Sequence, residues 1–142
     1  MVLSTRKEII MMSLNFEMHR DDLGLKTDLN FGTLQVSGDS LYGYLPYELL
    51  VASIVGCSGG ILRKVLINRR INFSDIKIDT RIRRDDLDVN KIVEIHLHFI
   101  IKGKDIEGQH IQNALLMTMR NCSMVQSVKD NIKVYDSFEI EL

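Results

Sequence analysis

The sequence predicts an α+β protein whose elements follow the order βββ-α-ββ-α-β. Two observations lead to this fold class: apolar residues that alternate with polar ones in paired stretches, and two longer stretches with helical spacing. The chain of 142 residues has a length typical of one domain, so we predict a single domain over residues 1–142. Hydrophobic residues make up 45% of the chain, which is enough for a substantial core.

The strand predictions rest on alternation, because in a strand every second side chain lies on the same face. Residues 12–18 predict a first strand, and residues 25–38 predict two further short strands. Residues 75–84 and 91–103 both alternate, and the turn sequence DDLDVN joins them. This arrangement predicts a long β-hairpin. Residues 132–140 predict the last strand.

Two stretches predict long helices. The pattern from Pro46 to about Arg69 is helical, and proline is favoured near a helix start. Residues 104–122 place apolar side chains three and four positions apart, as on the buried face of a second helix. Residues 123–131 predict a short helical piece before the last strand.

Charge and composition argue against nucleic-acid and membrane partners. The chain has 18 basic and 19 acidic residues, so its net charge of −1 gives no strong field for an anionic partner. No continuous apolar run approaches the roughly 20 residues of a membrane span. The first residues also lack the features of a signal peptide. We therefore predict a cytoplasmic protein that binds neither nucleic acid nor a membrane.

Two cysteines, Cys57 and Cys122, are the main candidates for chemistry. In a cytoplasmic protein, two thiols are either inert core residues or a redox pair. On an ideal helix Cys57 shares a stripe with Ser53, Gly56 and Gly60, which would make room for a crossing helix or for a substrate. Cys57 lies about three turns into the helix, beyond the reach of its dipole. Activation of this thiol would therefore need a cation from elsewhere.

A second candidate pair, His96 and His98, lies on the polar face of a predicted strand. Two imidazoles on one face could bind a metal, but no third ligand is evident in the sequence. We expect a packed or solvated strand face here, and no bound metal or cofactor.

Three features resemble the OsmC/Ohr family of organic hydroperoxide resistance proteins. They are the Pro-x-Glu-Leu-Leu start at Pro46, the small-rich helix that contains Gly56 and Cys57, and the second cysteine, Cys122, at the end of the second helix. The element order is similar too, so the resemblance covers nearly the whole chain. It implies an OsmC-like domain in an obligate, intertwined homodimer. Two long central helices would be wrapped by curved antiparallel sheets.

The resemblance also implies a thiol peroxidase that acts on organic and lipid hydroperoxides. The residue matching Cys57 attacks the O–O bond and becomes a sulfenic acid, which the residue matching Cys122 converts to a disulfide. A dithiol, often protein-bound lipoyl, then reduces the disulfide. An arginine from the N-terminal strands, which matches Arg20, and a glutamate beside the helix-start proline polarise the thiolate and the peroxide.

Two positions depart from the family pattern. The best-characterised members carry glutamate directly after the proline, where this chain has Tyr47 with Glu48 one residue later. Glu48 is about 180° from Cys57 on an ideal helix, so it cannot take over the role of the family glutamate unchanged. The Tyr47 hydroxyl could contribute instead, or the role is vacant; Tyr47 and Glu48 are both kept as candidates for polar support. Ser123 stands where a proline commonly follows the second cysteine. Two alternatives to a peroxidase stay open: a non-catalytic dimer that binds a small apolar ligand, and a peroxide sensor.

Overall fold

The computed structural model describes residues 11–142. This part of the chain contains two sheets and three helices, which confirms the predicted α+β fold class. In order, the elements are β1 (Leu25–Asp28), β2 (Thr33–Val36), α1 (Pro46–Asn68), β3 (Phe73–Asp85), β4 (Lys91–Gly103), α2 (Gly108–Asn121), α3 (Ser123–Val128) and β5 (Lys133–Glu141).

The chain divides into two compact units, of which the first ends at Glu48 and the second spans Leu49–Leu142. In the first unit β1 and β2 pair antiparallel as a two-stranded sheet. The predicted strand at residues 12–18 forms one isolated antiparallel bridge, between Glu17 and Lys26. The apolar side chains of this segment are exposed, so no buried face holds it in a longer ladder. That the whole chain forms one domain stays a prediction.

The second unit contains the predicted β-hairpin as β3 and β4, which pair antiparallel along nearly their whole length. On the other side of β4, β5 pairs with it in parallel. We expected antiparallel sheets, so this pair is a correction. The reason lies in the connection, because α2 and α3 form a crossover that returns the chain to run in the direction of β4.

One face of the central strand β4 forms the floor of the core, and α1 and α2 cover it. The buried residues of β4 on this face are Ile95, Leu97, Phe99 and Ile101. From α1 the core receives Val51, Ile54, Leu62 and Leu66, and from α2 it receives Ile111, Ala114 and Leu115. Each buried aliphatic side chain contributes roughly 1.5–3 kcal/mol. The four buried aliphatic side chains of α1 therefore contribute more free energy than its three glycines cost in helix propensity, which is about 3 kcal/mol.

The helix α1 is more apolar than its burial in this unit requires. Its most apolar window has a mean hydropathy of 1.7, yet only 28% of that window is buried. Among the described residues it is the one helix long and apolar enough to cross a membrane by length and composition. It is not a continuous apolar run, because small and charged residues interrupt it. A core helix passes the same test, so this result is weak support for a membrane.

Candidate active site

Cys122 lies at the corner between α2 and α3, where it ends one helix and begins the other. Its backbone is extended, with φ −76° and ψ 108°. The Cys122 N–H donates to the Thr118 carbonyl at 2.9 Å, and its own carbonyl accepts from the Gln126 N–H at 3.0 Å. The side chain is fully buried. Both helices therefore fix the position of this thiol.

Cys57 lies in the interior of α1, where it is partly buried at the edge of the core. The glycines around it have two different surroundings. A Cβ at Gly59 would come within 3.0 Å of Ile78 Cδ1, so this glycine allows α1 to pack closely on β3. A Cβ at Gly56 or Gly60 would meet no atom within 4 Å. These two glycines leave open space beside the thiol.

The fold brings Cys57 to the start of α3, beside Cys122. Its Sγ lies 3.7 Å from the Oγ of Ser123. The backbone N–H of Met124 and the Cys122 thiol lie near enough to the Cys57 sulfur to lower the pKa of its thiol. Both cysteines are free thiols. The fold thus brings together the two cysteines singled out from the sequence.

The surroundings of the two thiols shift their pKa values in opposite directions. The backbone N–H of Met124 lowers the pKa of Cys57 most; the Cys122 thiol and Ser123 lower it further, while partial burial opposes them. Burial is the main reason that the pKa of Cys122 is raised, and the neighbouring Cys57 adds to that rise. The accessible thiol is therefore the one that ionises first, and the buried thiol keeps its proton.

The sequence analysis expected a cation to activate Cys57, whereas the largest cause is a backbone N–H. The first N–H groups of a helix have no partner inside that helix, and two of those in α3, from Ser123 and Met124, lower the pKa of Cys57. Sequence reasoning missed this because Cys57 and Ser123 are 66 residues apart and no periodic pattern links them. The one available signal was the predicted helix start directly after Cys122.

The remaining predicted site residues, Arg20, Tyr47 and Glu48, belong to the first unit. Arg20 lies in an exposed turn before β1. Tyr47 is half-buried and Glu48 is exposed, and they are the second and third residues of α1. Glu48 lines a cavity of about 490 Å³ together with Tyr42 and Tyr44. The roles of these three residues toward Cys57 stay predictions.

His96 and His98 lie on the polar face of β4, and both rings have partners within the protein. His96 Nε2 is 3.1 Å from Glu94 Oε2, and its ring stacks on Tyr135 with centroids 4.7 Å apart. His98 Nδ1 is 2.7 Å from Ser137 Oγ. Within residues 11–142, no three His, Cys, Asp or Glu side chains are grouped so that they could hold a metal ion. This pair belongs to a hydrogen-bonded strand face.

Comparison with protein families matches residues 37–135 to a family described as OsmC-like protein. The matched segment includes α1, both cysteines and most of the second unit. Comparison with curated proteins gives no significant match.

Several solved structures share the fold of this chain. A hypothetical protein from Aquifex aeolicus VF5 is 23% identical with a TM-score of 0.82, over 94% of this chain and 98% of that one. An OsmC-like protein from Mycoplasma pneumoniae is 11% identical with a TM-score of 0.79, over 94% and 99% of the two chains. The organic hydroperoxide resistance protein OhrB of Bacillus subtilis is 16% identical with a TM-score of 0.61, over 90% and 98%. At these identities the likeness is one of fold.

Proposed function

This chain belongs to the OsmC-like protein family, and we propose that it is a thiol-dependent peroxidase that reduces organic hydroperoxides. The observation that carries the proposal is that the fold brings an accessible thiol of lowered pKa, Cys57, close to a buried thiol of raised pKa, Cys122. The thiolate is the nucleophilic form of cysteine, so Cys57 is suited to attack. The name of the Bacillus subtilis neighbour, an organic hydroperoxide resistance protein, supports this substrate class.

The proposed reaction uses the two thiols in sequence. The Cys57 thiolate attacks the O–O bond, so the sulfur gains one oxygen and the alkoxide leaves as an alcohol after taking a proton. The Cys122 thiol then attacks the sulfenic sulfur, a disulfide forms and water leaves. The hydroperoxide gains the two electrons that the thiols lose. A dithiol, for which protein-bound lipoyl is a candidate, restores both thiols by exchange.

The burial of Cys122 supports the order of these steps. A fully buried thiol of raised pKa is a poor first nucleophile, and it is shielded from a bulky hydroperoxide. It needs only to reach the sulfur of Cys57, which lies close to it. The cycle needs a compartment that keeps thiols reduced, which agrees with the predicted cytoplasmic location.

We also propose that the active unit is a homodimer. The low burial of α1 leaves an apolar helix face open, and Gly56 and Gly60 lie on that face without contacts. In the first unit, the two-stranded sheet leaves Leu29 and Phe31 exposed, and two-stranded sheets are marginal by themselves. A second copy that packs on α1 and on this sheet would bury both surfaces.

Within this proposal, Arg20 stabilises the Cys57 thiolate and the peroxide, and Tyr47 or Glu48 gives polar support. Replacing Arg20 by Ala should raise the pKa of Cys57, while Arg20→Lys is the matched control that keeps the charge. The rate of alkylation of Cys57 across pH measures this. An identical pH dependence in the Ala variant would reject the role of Arg20.

The test of the peroxidase is to treat the reduced protein with one equivalent of cumene hydroperoxide and to measure intact mass and free thiols. We expect loss of both thiols and of two hydrogens, with no added oxygen. Cumyl alcohol, which has the same shape but no O–O bond, is the control reagent. Cys57→Ser should abolish the reaction, whereas Cys122→Ser should allow a single oxidation at Cys57 without turnover.

Other outcomes would support the alternatives. If wild-type protein forms the disulfide but no dithiol sustains turnover, the peroxide sensor is favoured over an enzyme. If both thiols survive the treatment, the peroxidase proposal is wrong and a non-catalytic dimer that binds a small apolar ligand is favoured. Full activity in Cys57→Ser would also contradict the assignment of the attacking thiol.

A further inference from the structure

The hydroxyl of Ser123 is positioned to act on the sulfur of Cys57. The two atoms are 3.7 Å apart, within hydrogen-bonding range for sulfur, although the residues lie on different helices. A serine hydroxyl rotates to suit its partner, and a thiolate can only accept. Once Cys57 ionises, the Ser123 hydroxyl must therefore be the donor. The hydroxyl and the backbone N–H of Ser123 both lower the pKa of Cys57.

A neighbouring serine in α3 has a different partner. The Oγ of Ser127 donates to the Ser123 carbonyl at 2.7 Å, one turn earlier in the same helix. That bond is local to α3 and does not touch the thiol. The Ser123 hydroxyl therefore contacts the reacting sulfur, whereas the Ser127 hydroxyl contacts only the helix backbone.

The fold itself does not require serine at position 123. This residue is the first of α3, where proline is favoured because the N–H there has no partner within the helix. The preceding residue, Cys122, is already extended, as a residue before proline prefers to be. Proline would therefore fit the backbone but would remove both donors, the hydroxyl and the N–H. The backbone geometry therefore does not explain serine at this position, whereas the donors of serine beside the Cys57 sulfur do.

We infer that Ser123 is a positioning residue for Cys57, and that its hydroxyl donates to the sulfur once Cys57 is a thiolate. This deepens the proposed function, on which its catalytic meaning rests, by naming the group that prepares the attacking thiol. Cys57 then reacts before Cys122 because donors from α3 surround it, while burial keeps the proton on Cys122.

The test measures alkylation of Cys57 by iodoacetamide as a function of pH, with the modified peptide quantified by mass. It needs no hydroperoxide. Ser123→Ala should slow the reaction on the order of 3- to 10-fold at neutral pH, the range expected for one lost hydrogen bond. Ser123→Pro should slow it further, because it lacks both donors, and Ser123→Thr should restore the wild-type profile. All rates should converge well above the pKa of an ordinary thiol, about 8.5.

Ser127→Ala is the matched control, since it removes a hydroxyl from the same helix without touching the sulfur. Wild-type profiles in both the Ala and the Pro variants of Ser123 would overturn the inference. So would an equal shift in Ser127→Ala, because the effect would then come from a loosened α3. The protein could also consume no hydroperoxide while the pH profile of Cys57 alkylation still depends on Ser123. That result would refute the peroxidase proposal but support the role of Ser123.

Discussion

Substitutions at Gly60, on the open face of α1, test whether a second copy of the chain packs there. They should stabilise a monomer but weaken a dimer that uses this face. Within a single chain, a Cβ at Gly60 meets no atom within 4 Å. Replacing Gly60 by Ala would then stabilise the helix by about 1 kcal/mol through helix propensity alone. Because Gly60 is exposed, Gly60→Leu would also favour the helix within a single chain.

The homodimer proposal predicts the opposite result for Gly60→Leu. If a second α1 packs on this stripe, the new side chain overpacks the contact by about 1–3 kcal/mol, and two-fold symmetry places the change on both sides. The combined cost of about 2–6 kcal/mol weakens the dimer by roughly 30-fold or more, since each 1.4 kcal/mol is tenfold. We therefore expect a dimer that dissociates at concentrations where the wild type stays associated.

Light scattering after size exclusion, over a dilution series, measures this dissociation, and urea unfolding measures stability. Gln112→Leu is the matched control, because it adds the same side chain to an exposed position of α2. A dimer that tolerates Gly60→Leu with a raised unfolding midpoint would refute the argument that this stripe is an interface. A monomeric wild type would refute the homodimer itself.

Two further predictions concern the second unit alone. Gly103→Ala should destabilise the fold by about 1–3 kcal/mol in urea unfolding, because its Cβ would overlap the backbone of Asn72 and Phe73, which cannot move as a side-chain tip can. The hydrogen bond from Arg83, with a smaller effect of His96, lowers the pKa of Glu94 to about 2. The stability that this carboxylate contributes is present above its unfolded pKa of about 4.3 and is lost as pH falls toward 2. Arg83→Gln should raise the pKa of Glu94 in an NMR titration; an unchanged value would show that this contact is not its cause.

The elements that the sequence predicted well are those with a strong local period. The alternation in β3 and β4 marked the hairpin, and the spacing of apolar residues marked α1 and α2, because burial of one face imposes these patterns directly. The direction of β5 could not be read in this way, since a strand has the same alternation in a parallel or an antiparallel pair. Residues 12–18 also alternate, but alternation alone does not form a strand where no core covers it.

In the candidate site, too, local features could be predicted from the sequence and tertiary contacts could not. The two cysteines were found from residue type and from the family resemblance, because both are features of the sequence. The group that lowers the pKa of Cys57 was not found, because it is the Met124 N–H, and every residue except proline has one. Only the tertiary fold determines which N–H groups meet a thiol.

The different behaviour of the two cysteines follows from where each lies in the fold. Cys57 lies on a helix surface and is partly exposed, while groups at the start of α3 lower the pKa of its thiol. Cys122 lies at a helix corner where its side chain is fully buried, and this burial raises the pKa of its thiol. The surroundings of the two thiols, and not the residue type, therefore set the order in which they react. Loosening the end of α2 by replacing Thr118, whose buried hydroxyl donates to the Ala114 carbonyl, should make Cys122 alkylate faster and leave the alkylation rate of Cys57 unchanged.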